Sequence, residues 1–191
     1  SDLIKGSHLA KTINRKFRKA LAYPDKWVDL HVHSCFSDGL LTPTEIIQYA
    51  KQKGLSGVGI VDHDTIEGTA ESIKAAKEED ICIVPGIEFS THLNGIDIHI
   101  IGYFLDEDNQ RLTDYLTLFT DERMQRAIKM VRNLQNAGIQ ITMDEVLSKS
   151  HGNSIGRPHM AEVLMEKGYV ETFQEAFNRY IGYHSKAYEK K

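Results

Sequence analysis

The sequence predicts an α/β fold up to about residue 104, followed by a helical lobe over residues 105–191. Three observations support this division. Short apolar segments alternate with helix-capping motifs from Trp27 onward, which is the pattern of parallel strands joined by helices. After Tyr103, apolar residues recur only at helical spacing. Histidine and carboxylate side chains stand where the predicted strands end, and the carboxyl ends of parallel strands meet at one edge of a sheet.

The first strands and helices have recognisable boundaries. Residues 28–32 and 57–61 are predicted as strands. Between them, Thr42 and Glu45 form a capping box with Pro43 at the first helical position, and Gly54 ends the helix.

A second helix and a hairpin complete the α/β region. The segment 64–67 has the spacing to cap a helix that runs to about Asp80. Residues 81–84 and 86–90 form a third strand region, and Asn94-Gly95 is a hairpin signal that leads into a strand over residues 96–100. On that strand, alternation places the isoleucines on one face and the polar residues on the other.

The helical lobe begins with a long helix over about residues 109–136, which ends at Gly138. Three further helices are predicted to begin at Thr142, Pro158 and Thr172.

Residues 1–26 are predicted as a basic helix or linker. An apolar stripe at i, i+4 spacing is flanked by five basic residues, namely Lys11, Arg15, Lys16, Arg18 and Lys19. An arm for RNA or a membrane surface is one interpretation. A packing helix with a solvated face is the favoured one.

Composition excludes several classes of function. The formal charge of −4 provides no global attraction to nucleic acid, so we expect no sequence-specific DNA binding, and any phosphate binding must be local. The sequence has no apolar stretch long enough to span a membrane and no signal-peptide core. Two cysteines are too few for a disulfide framework. We therefore expect a cytoplasmic protein without membrane association.

The most informative feature is a set of metal-ligand residue types at the strand ends. His31 and His33 are two apart on a strand, so their side chains point the same way, as a bidentate chelate requires. Taken alone, the pair is equally consistent with a polar strand edge. Asp29 as a supporting residue and Asp38 in the turn just beyond favour the chelate.

A second group of ionisable residues follows the next strand. Asp62, His63 and Asp64 come directly after an apolar segment, where burying three such groups is costly unless they are paired or metal-bound. Helix capping would use only Asp64, so we predict His63 as a metal ligand. Asp64 is predicted as a catalytic carboxylate.

Glu88 and His99 complete the candidate ligands. Glu88 stands in an otherwise apolar strand, where a carboxylate can bridge two metals, and we predict it as both a ligand and a catalytic residue. A solvent-facing position is the alternative for Glu88. An isolated strand histidine such as His99 is more often structural, and only the neighbouring candidates favour a ligand role.

The helical lobe carries two basic features. Arg123, Arg126, Lys129 and Arg132 form a stripe that could follow phosphates, but a solvated face explains it better. Arg157 and His159 flank a predicted helix start, where backbone N–H groups favour anions. We predict that they bind substrate phosphate, with an ordinary helix N-terminus as the alternative.

These motifs in combination resemble the PHP (polymerase and histidinol phosphatase) family. The matching segments, in chain order, are Asp29–Ser34, Ser37–Gly39, Asp62–Asp64, Gly86–Glu88 and His99. The long helix and the segment Ile155–His159 are similar to the helical insertion of bacterial phosphoesterases that act on nucleoside 3′,5′-bisphosphates and on the 5′ ends of short RNAs.

The resemblance implies a partial, distorted (β/α)₇ barrel with an appended or inserted helical lobe. It also implies two or three divalent ions, with Mn, Zn or Fe as candidates, and hydrolysis of nucleotide or short-RNA phosphate esters by a metal-activated hydroxide. His31, His33 and Glu88 would hold the first metal. Glu88 would bridge to a second held by His99. Asp38 and His63 would hold the third, while Arg157 and His159 would bind the substrate phosphate.

The family completes this site with a later histidine and a final Asp-x-His, and no Asp-x-His follows His99 here. We therefore expect a truncated or partial family member whose exposed barrel edge favours self-association. The competing functions are a non-catalytic module for binding or assembly and another phosphatase of the family, such as histidinol-phosphate phosphatase.

Overall fold

The computed structural model describes residues 27–94 and 96–189. The predicted basic helix over residues 1–26 lies outside the described residues. The chain divides into two compact units, with the boundary between Leu116 and Thr117. The predicted domain division between residues 104 and 105, where the last strand ends, stays a prediction.

The first unit contains a four-stranded sheet in the order β1-β2-β3-β4, curled into a half-barrel. Its strands are β1 (Val28–Val32), β2 (Gly57–Ile60), β3 (Cys82–Leu93) and β4 (Ile96–Tyr103). The first three are parallel, and β4 is antiparallel to β3. The predicted mixed α/β architecture is confirmed.

Two helices cross between the parallel strands. Helix α1 (Pro43–Gln52) begins with the predicted capping box, in which the Thr42 side chain and Glu45 bond each other's backbone N–H groups. Gly54 follows its end with a φ of 78°, a left-handed conformation that glycine adopts without strain. Helix α2 (Thr69–Glu78) crosses to β3.

The predicted capping of α2 by the segment 64–67 is wrong. The helix begins at Thr69, and its N-cap Gly68 has no side-chain cap. The Asp64 carboxylate instead accepts a hydrogen bond from the Ser90 backbone N–H at 2.7 Å. Because this carboxylate is hydrogen-bonded to strand β3, it does not cap the helix that begins five residues later.

Strand β3 is continuous where the sequence suggested two pieces. It pairs with β2 up to Pro85 and with β4 from Gly86 onward. Proline has no N–H to donate, so it is tolerated at the position where the strand changes partner. The predicted Asn94-Gly95 hairpin is confirmed by the antiparallel pairing that continues to Leu93 and Ile96.

The second unit is helical. Helix α3 (Gln110–Asn136) crosses the boundary between the units and is followed by α4 (Met143–Leu147), α5 (Arg157–Glu166) and α6 (Phe173–Ala176), which continues into a π-helical turn over Phe177–Ile181. The four predicted helix starts are confirmed to within two residues. Buried residues of this unit, including Met130, Leu134 and Leu164, form one apolar core. No helix in the described part of the chain is long and apolar enough to cross a membrane.

Candidate metal centre

The six predicted ligands converge in the first unit. Strand β1 contributes His31, the segments after β1 and β2 contribute His33, Asp38 and His63, and Glu88 and His99 come from β3 and β4. Their side chains form three overlapping donor groups, which are His31–His33–Glu88, His33–Asp38–His63 and His63–Glu88–His99. The curl of the sheet allows residues of its first and last strands to reach one another.

The first donor group is a tight triangle. The Nε2 atoms of His31 and His33 lie 3.1 Å apart, and each is 2.8 Å from Oε2 of Glu88. Both histidines therefore point to the same side, as the two-residue spacing predicted.

Glu88 is the centre of the cluster. Its side chain is 5% exposed, and its second carboxylate oxygen, Oε1, lies 2.6 Å from Nδ1 of His99. Burial alone would raise the pKa of Glu88, but hydrogen bonds from His31 and His99 and the nearby imidazoles lower it overall. The charged carboxylate is thus the form that this environment favours.

The loop after β1 brings Asp38 to the other side of His33. Oδ1 of Asp38 lies 2.7 Å from Nδ1 of His33, and Oδ2 lies 3.6 Å from Nε2 of His63. Burial would lower the pKa of His33, but the neighbouring carboxylates, Asp38 first, raise it overall. The turn is tight, since a Cβ at Gly39 would lie 2.1 Å from the His33 carbonyl oxygen. Glycine is therefore required there.

Asp62 organises this loop, a role that the sequence did not reveal. Its buried carboxylate accepts hydrogen bonds from the Ser34 backbone N–H at 2.7 Å and from the hydroxyls of Ser34 and Ser37 at 2.6 Å each. Three donors on one carboxylate fix the segment that carries Asp38 against the end of β2. The available signal was the pair of serines beside the predicted ligands.

Asp64 belongs to no donor group of the described residues. It is buried, has a φ of 53°, and its backbone N–H donates to the Glu88 carbonyl oxygen at 3.1 Å. With the Ser90 hydrogen bond described above, both contacts hold β3 in register beside His63. The catalytic assignment of Asp64 stays a prediction.

Tyr103 also supports the strands that carry the ligands, and the sequence did not indicate this role. Its hydroxyl, at the end of β4, donates to the Leu30 carbonyl oxygen of β1 at 2.8 Å. These are the two outermost strands of the sheet, so this bond spans the curl. Burial, with the charges of Asp29 and Glu88, raises the pKa of Tyr103 and keeps the phenol protonated as a donor.

The cluster fits divalent metal ions. Cis ligands at about 2.0–2.1 Å from a metal lie about 3 Å from one another, which matches the spacing within the first donor group. Imidazole nitrogens and carboxylate oxygens suit Zn, Mn and Fe. Several nitrogen donors facing one buried carboxylate are also more readily explained by shared cations than by hydrogen bonds alone.

The predicted phosphate-binding residues lie in the second unit. Arg157 is the first residue of α5, and its guanidinium lies over the rings of Phe177, Tyr183 and Tyr188. His159 is buried, and its Nδ1 accepts a hydrogen bond from the Gly156 backbone N–H at 3.0 Å. His159 therefore uses one ring nitrogen to cap the helix.

The basic stripe on α3 is partly engaged within the lobe. Arg123 donates to the Ile155 carbonyl oxygen at 3.4 Å, and Arg126 donates to that of Glu189 at 2.7 Å. Lys129 pairs with the Glu189 carboxylate at 3.2 Å. The stripe is thus not simply a solvated face, because three of its four cations contact other residues of the helical unit.

Comparison with known proteins agrees with this arrangement. The family model for the PHP domain matches residues 29–188, which include every candidate ligand. The chain belongs to the PHP family.

Two related proteins are named as enzymes that act on RNA or on nucleotides. A 5′-3′ exoribonuclease from Haemophilus influenzae is 37% identical to this PHP chain over 165 residues, which cover 86% of the chain and 60% of the relative. A 3′,5′-nucleoside bisphosphate phosphatase from Chromobacterium violaceum is 33% identical over 155 residues, covering 81% and 54%. The PHP chain therefore spans little more than half the length of these relatives.

Two solved structures share the fold of this PHP chain. One is an amidohydrolase from Chromobacterium violaceum, at 32% identity and a TM-score of 0.81, covering 86% of the chain and 58% of that structure. The other, from Bifidobacterium adolescentis, is described provisionally as a metal-dependent phosphoesterase, at 32% identity and a TM-score of 0.82, covering 87% and 59%. The partial-barrel prediction is confirmed.

Proposed function

We propose that this chain is a metal-dependent phosphoesterase that hydrolyses phosphate esters of nucleotides or of short RNA 5′ ends. One observation carries the proposal: the buried Glu88 carboxylate lies within 2.8 Å of nitrogens from His31, His33 and His99. Divalent metals bound there would supply a nucleophile near neutral pH and stabilise charge on the phosphoryl oxygens. The names of the relatives support the substrate class.

Within this proposal the ligands have separate roles. His31, His33 and Glu88 would hold one metal, Glu88 and His99 a second, and Asp38 with His63 a third. Two or three ions of Mn, Zn or Fe are proposed, because this donor set accepts several metals. Asp62 and Asp64 would hold the ligand-bearing segments in place through the backbone hydrogen bonds described above.

Arg157 and His159 are proposed to bind substrate phosphate in the helical lobe. A guanidinium offers paired N–H donors that match phosphate oxygens, and an imidazole that caps the helix keeps Arg157 at a fixed position.

The test is metal content together with phosphate release. The purified chain is expected to retain two or three metal ions by elemental analysis and to release phosphate from adenosine 3′,5′-bisphosphate. Glu88→Gln removes the central charge and should abolish both properties. Glu78→Gln, at an exposed site on α2, is the matched control and should change neither. Less than one metal per chain and no turnover at saturating Mn²⁺ would reject the enzyme assignment.

A non-catalytic PHP module is the second candidate. Metal binding without turnover of either adenosine 3′,5′-bisphosphate or histidinol phosphate would support it. Turnover of histidinol phosphate alone would indicate the other phosphatase branch. Self-association and a cytoplasmic location stay predictions.

A further inference from the structure

An open apolar groove lies beside the edge strand of the first unit. It has a volume of about 570 Å³ and is lined by residues of β1, of helix α1 and of the loop that joins them. Its apolar lining includes Val32, Leu40, Leu41, Ile46, Tyr49 and Leu55, with Asp29, His33 and Lys53 as the polar residues. The groove is therefore mainly apolar, with few charged groups.

The side chains around this groove are unusually exposed for apolar residues. Leu40 is 82% exposed, Tyr49 is 53% exposed, and Leu41 is exposed as well. Single exposed apolar residues are common, but several around one groove indicate an interaction site. A pocket for a small molecule normally encloses most of its ligand, so this open groove better fits the apolar face of a chain segment.

The position of the groove in the sheet indicates what kind of segment fits. Strand β1 is at one edge of the described sheet and pairs only with β2 there. All four residues of β2 are buried, whereas half-buried and exposed residues alternate along β1. Helix α1 covers part of β1, because Val32 packs against the cluster that contains Ile46 and Ala50. Parallel strands are normally covered by helices, so the groove has the position of a second helix beside α1.

The segment that leads into β1 has a matching sequence pattern. Residues 1–26 lie outside the described residues, and their sequence carries an apolar stripe at i, i+4 spacing, which consists of Leu9, Ile13, Phe17 and Leu21. Lys11, Arg15 and Lys19 recur at the same spacing two residues later, so a helix would place them on the opposite face. The pattern is that of a helix with one buried and one solvated face.

The connection between this stripe and β1 is short. Six residues, 22–27, separate Leu21 from the start of the strand. Pro24 lies within them, and proline disfavours a helical conformation of the residue before it. Connections of about 2–6 residues are typical where a helix leads into a neighbouring strand and packs beside it. The groove beside β1 is therefore the apolar surface that such a helix reaches first.

We propose that the apolar stripe of residues 9–21 docks in the groove beside β1. The occupant is thus a segment of the same chain, which would cover Leu40, Leu41 and Tyr49 and leave its basic face in solvent. The proposal does not depend on the proposed enzyme activity, because it concerns the outer side of the edge strand and not the reaction.

Two other uses of the stripe compete with this one. A membrane-binding arm needs the stripe to be accessible in the free chain and buried only on a lipid surface. Docking on a second copy needs the chain to be dimeric when the stripe is buried. Both differ from docking within one chain in when the backbone of residues 9–21 is protected from solvent.

The experiment is amide hydrogen exchange of the full chain, with mass spectrometry of peptides from residues 9–21. These amides should exchange about tenfold or more slowly in the wild-type chain than in Leu40→Ser, which removes apolar surface at the groove. Leu93→Ser is the matched control, because Leu93 is a 61% exposed leucine of the same unit that does not line the groove. Phe17→Ser should accelerate exchange as Leu40→Ser does, whereas Arg15→Ser, on the predicted solvated face, should not.

Four results would overturn the proposal. Fast exchange of residues 9–21 in the wild-type chain, with protection only on anionic vesicles, would favour the membrane arm. Protection that disappears when a dimer is diluted to monomer would favour a second copy as the occupant. Equal effects of Leu40→Ser and Leu93→Ser, or no effect of either, would show that the stripe does not use this groove. These outcomes are independent of metal content and phosphate release, so the proposed function and this docking can fail separately.

Discussion

The two units of this chain use their interiors differently. The first buries polar and charged side chains among its apolar ones, including Ser34, Ser37, Asp62, Asp64 and Glu88. The second has a large apolar core around Leu134, Met160 and Leu164. The two units therefore differ in how many polar and charged side chains they bury.

Because of this difference, we expect different residues to determine the free energy of unfolding and the affinity for metal. Buried carboxylates are costly unless each finds donors or cations, so the first unit is organised around satisfying them. The helical unit has few such requirements and is stabilised mainly by apolar burial. Substitutions in the first should change metal affinity more than unfolding, and substitutions in the core of the second should do the opposite.

The largest expected effect on stability is that of Leu164→Ala. Leu164 is fully buried in the helical core, so truncation should lower the free energy of unfolding by about 2–5 kcal/mol in urea titration. Metal content at 25 °C should be unchanged. Leu147→Ala, at a residue 38% exposed in the same unit, is the control and should cost much less. Loss of bound metal in Leu164→Ala would show that the two units do not respond separately.

Asp62→Asn tests whether the buried polar network of the first unit determines its affinity for metal. The amide removes one acceptor from the serine network that holds the Asp38 loop, and we expect metal affinity to fall about 10–100-fold. Competition with a chelator measures this directly. Asp80→Asn is a suitable control, since that residue is exposed and asparagine tolerates its φ of 50°. An unchanged metal affinity would mean that the loop keeps its position without Asp62.

Tyr103→Phe removes the hydrogen bond that joins β4 to β1. The expected loss is about 1 kcal/mol of unfolding free energy, with a several-fold decrease in metal affinity because His31 and His99 lie on the two strands so joined. Tyr49→Phe, at an exposed position on α1, provides the control for removal of a hydroxyl. If stability fell while metal affinity did not, Tyr103 would support the sheet only.

The smallest effect concerns Glu145, which caps α4. The ion pair with Lys167, and then hydrogen bonds from Thr142, lower the pKa of Glu145 in the folded chain. A lowered pKa stabilises the folded state above the unfolded-state pKa of about 4.3, and this stabilisation is lost as pH falls through the folded pKa. The wild-type chain should therefore have a higher melting temperature than Glu145→Gln at neutral pH, and the same melting temperature at strongly acidic pH. A difference in melting temperature that persists in acid would contradict a charge effect.

The local elements were accessible from the sequence. The capping boxes at Thr42 and Thr142, the left-handed Gly54 and the Asn94-Gly95 hairpin depend on interactions within a few residues, so short-range patterns predict them. The six ligand candidates were also accessible, because unusual residue types recur at predicted strand ends. The start of α2 was not, because Asp64 bonds to Ser90, far along the chain.

The sequence by itself thus determined the order of strands and helices, the candidate ligands and the family. Only the tertiary structure decided which groups meet: Asp62 with the two serines, Tyr103 with the Leu30 carbonyl, and Arg157 with the Tyr188 ring. The physical reason is the separation along the chain of the residues that interact. Caps and turns are fixed by neighbouring dihedral angles, whereas these contacts depend on the curl of a sheet and the packing of helices, which no local pattern encodes.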